Sequence, residues 1–312
     1  MITVNNLTKR YGPTLAVDNI SFEVSKGEIL GFLGPNGAGK STTMKILTCY
    51  MPPDEGTATL DGLNTLEDSL KIREKIGYLP ENTPLYQDMG VVDYLRFVAE
   101  VRKIPSSQRK KRIKETAHLC GLDKELGKHI GQLSKGYRQR VGLAQTLIHD
   151  PDILILDEPT TGLDPNQIIE IRSLIKDIGQ EKTVILCSHI LPEVQATCNR
   201  IIIIKEGRIV GSGTPEELAS QAQGGGELVY ITINGPQDKI QEQLAAQDNV
   251  LATRLLVSEN GSHRFEVKSP KGVDIRESLF RMVVKNQWSL TELQRTPITL
   301  EDVFKQLTTE EN

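Results

Sequence analysis

Residues 27–51 read GEILGFLGPNGAGKSTTMKILTCYM. A short apolar run ending in glycines (27–34) predicts a buried strand, and STTMKILTCYM (41–51) predicts a helix. Between them, GPNGAGKST (34–42) satisfies the pattern G-x-x-x-x-G-K-[ST] in full, in the strand-before, helix-after context that the pattern requires. The loop Gly34, Pro35, Asn36, Gly37, Ala38, Gly39 lets successive N–H groups turn inward as an anion nest, at a helix N-terminus whose dipole adds attraction. Lys40 is placed to reach two phosphates of a nucleotide, the Ser41 hydroxyl suits Mg²⁺, and Thr42 stands beside it. The competing reading is a purely structural Gly-rich turn.

Such a loop needs a carboxylate from a second strand. DILILDEP (152–159) is apolar on both faces, as a buried parallel strand is, and places Asp157 at its C-terminal end, where open α/β sheets hold ligands. Glu158 follows and is suited to polarise an attacking water. QIIEIRSLIKDIGQ (167–180) reads as an amphipathic helix, KTVILCSH (182–189) as another buried strand, and RIIIIKEGRIVGSG (200–213) as a hairpin turning at Glu206-Gly207. The alternation argues an α/β domain over 1–220 with a mainly parallel sheet. QAQGGGE breaks the rhythm, so 221–226 reads as a Gly-rich linker. Residues 227–312 then follow a β-α-β-β-α-β, ferredoxin-like order, with a hairpin turning near Asn260-Gly261.

Composition bounds the function. The 312 residues carry 37 Lys and Arg against 41 Asp and Glu, a net charge of −4 that offers no electrostatic footprint for nucleic acid. Four cysteines (Cys49, Cys120, Cys187, Cys198) form no C-x-x-C pair and suggest neither zinc nor disulfide. MITVNNLTKRYG lacks the apolar run of a secretory signal, and no stretch is apolar enough to span a membrane, so a membrane role is expected through a partner.

Further motifs fall in a familiar order: KRYG with Tyr11, the loop at 34–42, LSKGYRQR (133–140), ILILDEP, TGLDP (161–165) and CSHI with His189. Over residues 1–220 the chain resembles the nucleotide-binding subunits of ABC transporters. That resemblance implies ATP and Mg²⁺ as cofactors and a mixed fold: a mainly parallel sheet with antiparallel β and helical subdomains. Tyr11 would stack on adenine. Asp164 would be the acidic residue of the loop after the metal-holding strand. His189 would contact the γ-phosphate and the catalytic Glu158. Ser134 and Gly136 would bind the γ-phosphate of ATP held by a second ATPase subunit, so one chain carries two incomplete half-sites.

Two departures from the family stand out. Glu81, in IGYLPENTPLY (76–86), occupies the place of a usual Gln. A carboxylate can ligate Mg²⁺ as a harder oxygen, or Glu81 is an exposed loop residue. In the signature, Lys135 replaces a Gly and Tyr137 a Gln. The Lys135 ammonium either adds attraction for phosphate or points to solvent, where lysine heads stay hydrated. Ser134 reads as the N-cap of the helix that follows.

The resemblance also implies a separate integral membrane permease that docks between Glu81 and Ser134. Leu85, Tyr86, Met89, Val92 and Leu95 are candidates for that surface or for core. RKKRIKE (109–115) reads as a solvated basic helix face, with proximity to anionic headgroups as the other option. TPITLEDVFKQLT (296–308) is similar to the end of ATPases paired with ABC-2 type permeases, largely exporters, including those associated with gliding motility or multidrug export. The implied location is the cytoplasmic face of the cell membrane. A soluble ABC ATPase of translation or DNA repair is the alternative. A P-loop kinase or GTPase is disfavoured by LSKGYRQR and His189, and by the lack of an N-K-x-D guanine reader.

Overall fold

Five apolar runs with no polar face must be covered on both sides, and they assemble as one parallel layer. The computed structural model describes residues 1–221, 227–259, 261–270, 272–296 and 300–308. They fall into two compact units, Met1–Pro215 and Glu216–Asn312.

The first unit opens with two long antiparallel strands, β1 (Ile2–Tyr11) and β2 (Thr14–Val24), followed by β3 (Ile29–Leu33) and helix α1 (Lys40–Leu47). Then come β4 (Glu55–Leu60), β5 (Leu63–Asn64), α2 (Ser69–Lys75), β6 (Ile76–Leu79) and the helices α3 (Val91–Val101), α4 (Ser106–Leu119) and α5 (Lys135–Leu147). The unit closes with β7 (Ile153–Asp157), α6 (Pro165–Gly179), β8 (Thr183–Ser188), α7 (Leu191–Thr197), β9 (Arg200–Lys205), β10 (Arg208–Gly213) and the start of α8 (Pro215–Gln221).

One sheet has the order β2-β1-β4-β5, and the other β10-β9-β3-β8-β7-β6. In the second sheet β9, β3, β8, β7 and β6 run parallel, and β10 alone is antiparallel. The two sheets share a core in which Phe22 and Phe32 meet at 5.5 Å, with Met44, Ile46 and Leu47 of α1 packed among them.

The β9–β10 hairpin turns at Glu206 (φ 48°) and Gly207 (φ 80°), the pair of positive φ values that matches strand twist. Helix α1 stops at Leu47, short of the expected residue 51. Cys49 adopts φ 56°, and the Tyr50 N–H donates to Lys45 O at 2.8 Å, a left-handed stop made without glycine. Helix α8 takes up Gln221, so the expected linker cannot begin there, and its remaining residues 222–226 lie outside the described residues. Asn260 and residues 297–299 of the expected C-terminal segments lie outside them as well. Among the described residues no helix is long and apolar enough to cross a membrane.

The second unit runs β11 (Glu227–Asn234), α9 (Gln237–Ala245), β12 (Ala252–Glu259), β13 (Ser262–Ser269), α10 (Arg276–Lys285), β14 (Ser289–Thr296) and α11 (Leu300–Thr308). Its sheet order is β12-β13-β11-β14, with every neighbouring pair antiparallel. Val229, Ile231 and Ile233 alternate inward from β11 onto Ile240, Leu244, Leu279 and Val283. The other face carries polar pairs, such as Tyr230 donating to Glu266 at 3.1 Å and Arg264 to Glu292 at 3.1 Å.

Phe32 is fully buried at the junction of the two sheets of the first unit. Phe32→Ala should lower the unfolding free energy of that unit by roughly 3–5 kcal/mol, the usual penalty for an emptied aromatic core site, as read by chemical denaturation.

Candidate functional site

The parallel order places the C-terminal ends of β3, β8 and β7 side by side, with Leu33 paired to Ser188 and Asp157 to Cys187. The loops leaving those ends carry Lys40, His189 and Glu158. A cavity of about 400 Å³ opens there, lined by Ala16, Asn36, Gly37, Gly39, Lys40, Ser41, Thr42, Glu81, Glu158, Thr161 and His189.

The 34–39 loop leads from β3 into α1, which begins at Lys40. Gly39 is the N-cap of α1 at φ 105°, and a Cβ there would lie 2.4 Å from the Ala16 carbonyl. No other residue fits that position. The loop is braced from the hairpin tip, where Gly207 N–H donates to Ala38 O at 2.9 Å. The Lys40 ammonium donates to Gly34 O at 2.7 Å and to Pro35 O at 3.2 Å, and lies 3.8 Å from Glu158 Oε1.

Glu158 is the residue most constrained by its surroundings. It is 5% exposed and adopts φ 53°, left-handed backbone in a non-glycine residue. Its Oε2 lies 2.9 Å from His189 Nδ1, and Thr161 Oγ1 donates to the same oxygen at 3.4 Å. Asp157 is 2% exposed, and its Oδ1 is buried without a hydrogen-bond partner. Burial holds its carboxyl above the usual carboxylate range; the Ser41 hydrogen bond opposes this, while the charges of Glu158 and Glu81 add to it. Glu81 is exposed and yet lines the cavity, so it fits both readings made of it.

Tyr11, Ser134, Gly136 and Asp164 do not line this cavity. Tyr11 is 44% exposed, with its hydroxyl on Met51 Sδ at 3.1 Å. Ser134 caps α5, accepting from Tyr137 N–H at 3.4 Å. Asp164 caps α6, accepting from Gln167 N–H at 2.9 Å while Gln167 Oε1 accepts from Asp164 N–H at 3.4 Å. Gly136 is buried because Gln167 lies on it: a Cβ would meet the Gln167 amide at 2.5–2.7 Å. Lys135 is exposed, but its ammonium does not simply point away. It lies over Gly162, where a Cβ would meet Nζ at 1.9 Å. Arg140 pairs with Glu170 on α6.

Sequence reasoning missed Ala16, Thr161 and Gln167. Thr161 was findable as the residue opening TGLDP. Nothing in the pattern around Ala16 marks it.

The candidate docking residues separate. Leu95 is fully buried core; Leu85, Met89 and Val92 are half-buried; Tyr86 is exposed. Phe97 and Val101 on α3 extend the exposed apolar surface, with Tyr86 and Phe97 edge-to-face at 5.9 Å. In 109–115, Lys110, Lys111 and Lys114 are exposed, whereas Arg112 turns inward to donate to Ile148 O at 3.1 Å and Leu147 O at 3.2 Å. All four cysteines are free thiols, and Cys120, Cys187 and Cys198 are buried.

A Gly-rich strand-to-helix loop, two strand-end carboxylates and a histidine on one parallel-sheet edge are the arrangement of a P-loop nucleotide hydrolase. Residues 17–161 match the family described as ABC transporter. The linearmycin resistance ATP-binding protein of Bacillus subtilis (strain 168) is 33% identical, over 99% of this chain and 98% of its own length. Nod factor export ATP-binding protein I of Burkholderia pseudomallei (strain K96243) is 34% identical, over 98% and 96%. A dimeric ATP-binding cassette in a post-hydrolysis state with ADP and Pi superposes with TM-score 0.63 at 28% identity, covering 69% of this chain and 98% of that one. The chain belongs to the ABC transporter family and is an ATP-binding, ATP-hydrolysing subunit of it.

Gly136→Ala should cost the first unit no more than about 1 kcal/mol in thermal melts, because the overpacked atoms are the flexible end of Gln167 and can swing aside. Asp157 makes a second prediction. Its raised carboxyl means the folded chain binds that proton more tightly than the unfolded one. The stability it contributes is therefore full below the ordinary carboxylate range and is lost as pH rises through the raised value. Asp157→Asn should raise the nucleotide-free Tm near pH 7.5, and the gain should shrink as pH falls.

Proposed function

We propose that this chain is the motor of an exporter: two copies, or one copy and a homologous partner, close around ATP and drive a separate permease of ABC-2 type. The observation that carries the reading is the Glu158–His189 contact at 2.9 Å, facing the Lys40 ammonium in the cavity of the phosphate loop. In this reading Asn36 to Thr42 hold the phosphates, and Tyr11 offers a ring face to adenine. Glu158 orients and polarises the attacking water, and His189 fixes Glu158 and faces the γ-phosphate. Ser134 and the N-terminal amides of α5, with Gly136 kept small, receive the γ-phosphate of the partner's ATP. Asp164, engaged as the α6 cap within its own chain, approaches that shared interface.

The site fits a hard divalent cation. Asp157 Oδ1 is a buried, unpaired anionic oxygen, with the Ser41 hydroxyl bonded to the carboxylate. Asp157, Glu158 and Glu81 together outnumber the one ammonium of Lys40. A polyphosphate entering this field needs an added positive charge. Ser41, Asp157 and Glu81 would hold Mg²⁺, which supplies charge neutralisation at the transferring phosphoryl group.

The partner surface is the apolar patch of Tyr86, Phe97 and Val101, continuous through Val101 with a groove of about 760 Å³ that also includes Leu70, Arg102, Lys103 and Arg112. A permease helix with an apolar face suits it, the groove's Lys103 and Arg112 being already paired with Glu74 and Asp150, and the chain would then lie at the cytoplasmic face of the membrane. Export is supported by relatives whose names describe resistance or export, at full-length coverage.

Glu158→Gln should keep ATP affinity within about twofold and lower turnover by roughly 10²–10⁴-fold, the usual worth of a general base. ATP-bound dimers should persist in gel filtration. Turnover equal to wild type would remove the role given to Glu158.

A further inference from the structure

Glu193, on α7, is 4% exposed. Acidic side chains buried this deeply ordinarily face a cation. Here Oε2 accepts hydrogen bonds from Thr160 Oγ1 and from Ser188 Oγ, the latter at 3.4 Å. Oε1 is buried with no hydrogen-bond partner, and no ion pair offsets the charge among the described residues. For stability alone an apolar residue would serve better at this position. The placement of its two donors suggests why a carboxylate is there. Thr160 stands two residues after Glu158, and Ser188 immediately precedes His189.

We propose that Glu193 is a positioning residue for hydrolysis, clamping the loop after β7 to the end of β8 so that Glu158 and His189 keep their mutual geometry. Glu158 holds a left-handed backbone that a non-glycine residue keeps only when its surroundings enforce it. Three links enforce it: Glu158 N–H donates to Cys187 O at 3.0 Å, Thr161 N–H donates to Glu158 O at 3.2 Å, and the intervening Thr160 is tied to Glu193. Ser188 closes the other side, donating to Glu193 while its Oγ accepts from Ile190 N–H at 3.0 Å. Helix α7 is a firm base for the clamp, because Val194 packs on Gly31 of β3 so closely that a Cβ there would meet Val194 Cγ1 at 2.2 Å. The carboxylate is therefore referenced to the strand that feeds the phosphate loop. Glu193 is not among the residues that line the cavity, and acts through the loops it joins.

The test compares Thr160→Val, Thr160→Ser, Glu193→Leu, which removes the acceptor, and the double variant Thr160→Val/Glu193→Leu in the full chain. The readouts are steady-state kcat and KM, the kcat pH profile and equilibrium ATP affinity. Thr160→Val should lower kcat roughly 10- to 100-fold, the range expected for a misplaced catalytic group, with ATP affinity within about twofold. Thr160→Ser keeps the hydroxyl and should restore kcat. The double variant should be no slower than the slower single variant, because both break one link. A kcat for Thr160→Val within about twofold of wild type, additive losses in the double variant, or equal loss of ATP affinity and kcat would each overturn the proposal. The inference rests on the role given to Glu158, and the two fail separately. Hydrolysis surviving in Glu158→Gln removes that role, whereas an unimpaired Thr160→Val removes only the clamp.

Discussion

Parallel strands deliver all their C-terminal ends to one edge, and everything this protein does with ATP depends on which strands are neighbours there. The order β3-β8-β7 sets three loops within two strand spacings, each about 4.8 Å, so side chains from all three can meet. A different order would keep every motif intact and separate them beyond reach. The antiparallel sheet presses on the same edge, where β2 brings the Ala16 carbonyl against Gly39, and the β9–β10 hairpin at the end of the parallel sheet bonds Ala38. The phosphate loop is thus shaped from outside as well as by its own glycines.

The site is built at the expense of local comfort. Lys40 and Glu158 face each other with side chains only 6% exposed each, and a pair desolvated to that degree contributes little net stability. Asp157 is held in a position that penalises its charge, and Glu158 in a backbone region that penalises its side chain. Such concentrations of unfavourable terms persist where function retains them, while the surrounding strands, nearly all aliphatic, supply the stability.

The parts legible in the sequence were those where a local rule and the tertiary structure agree. The 34–42 loop, the buried strands at 153–157 and 183–188, and the Glu206-Gly207 turn are each dictated by residues that sit where their type requires. The stop of α1 was illegible because Cys49 takes a left-handed conformation with no glycine to announce it. The outward face of α3 could not be told from its core face for a different reason. Val91, Tyr94, Leu95 and Ala99 face the core while Phe97 and Val101 face out, so the helix is apolar on two sides and periodicity cannot choose between them. Ala16, Gln167 and Glu193 were invisible because their importance lies in what touches them across long sequence separations, not in their own chemistry.

That last point bears on the altered signature. Read along the chain, Lys135 looks like a change to a phosphate-binding loop. In space it belongs equally to the loop after β7, because its ammonium lies over Gly162, Gly136 lies under Gln167, and Arg140 pairs with Glu170. The segment from Glu158 to Gln167 therefore begins at the carboxylate proposed to polarise water and ends packed on α5, the helix proposed to meet a partner's ATP. Its ends are pinned at Thr160 by Glu193 and at Asp164 by the α6 capping box. Within one chain, the two proposed half-sites are joined through about ten residues of backbone, anchored at Thr160 and Asp164. A lysine in place of glycine adds one more contact to that joint and keeps the backbone N–H in place.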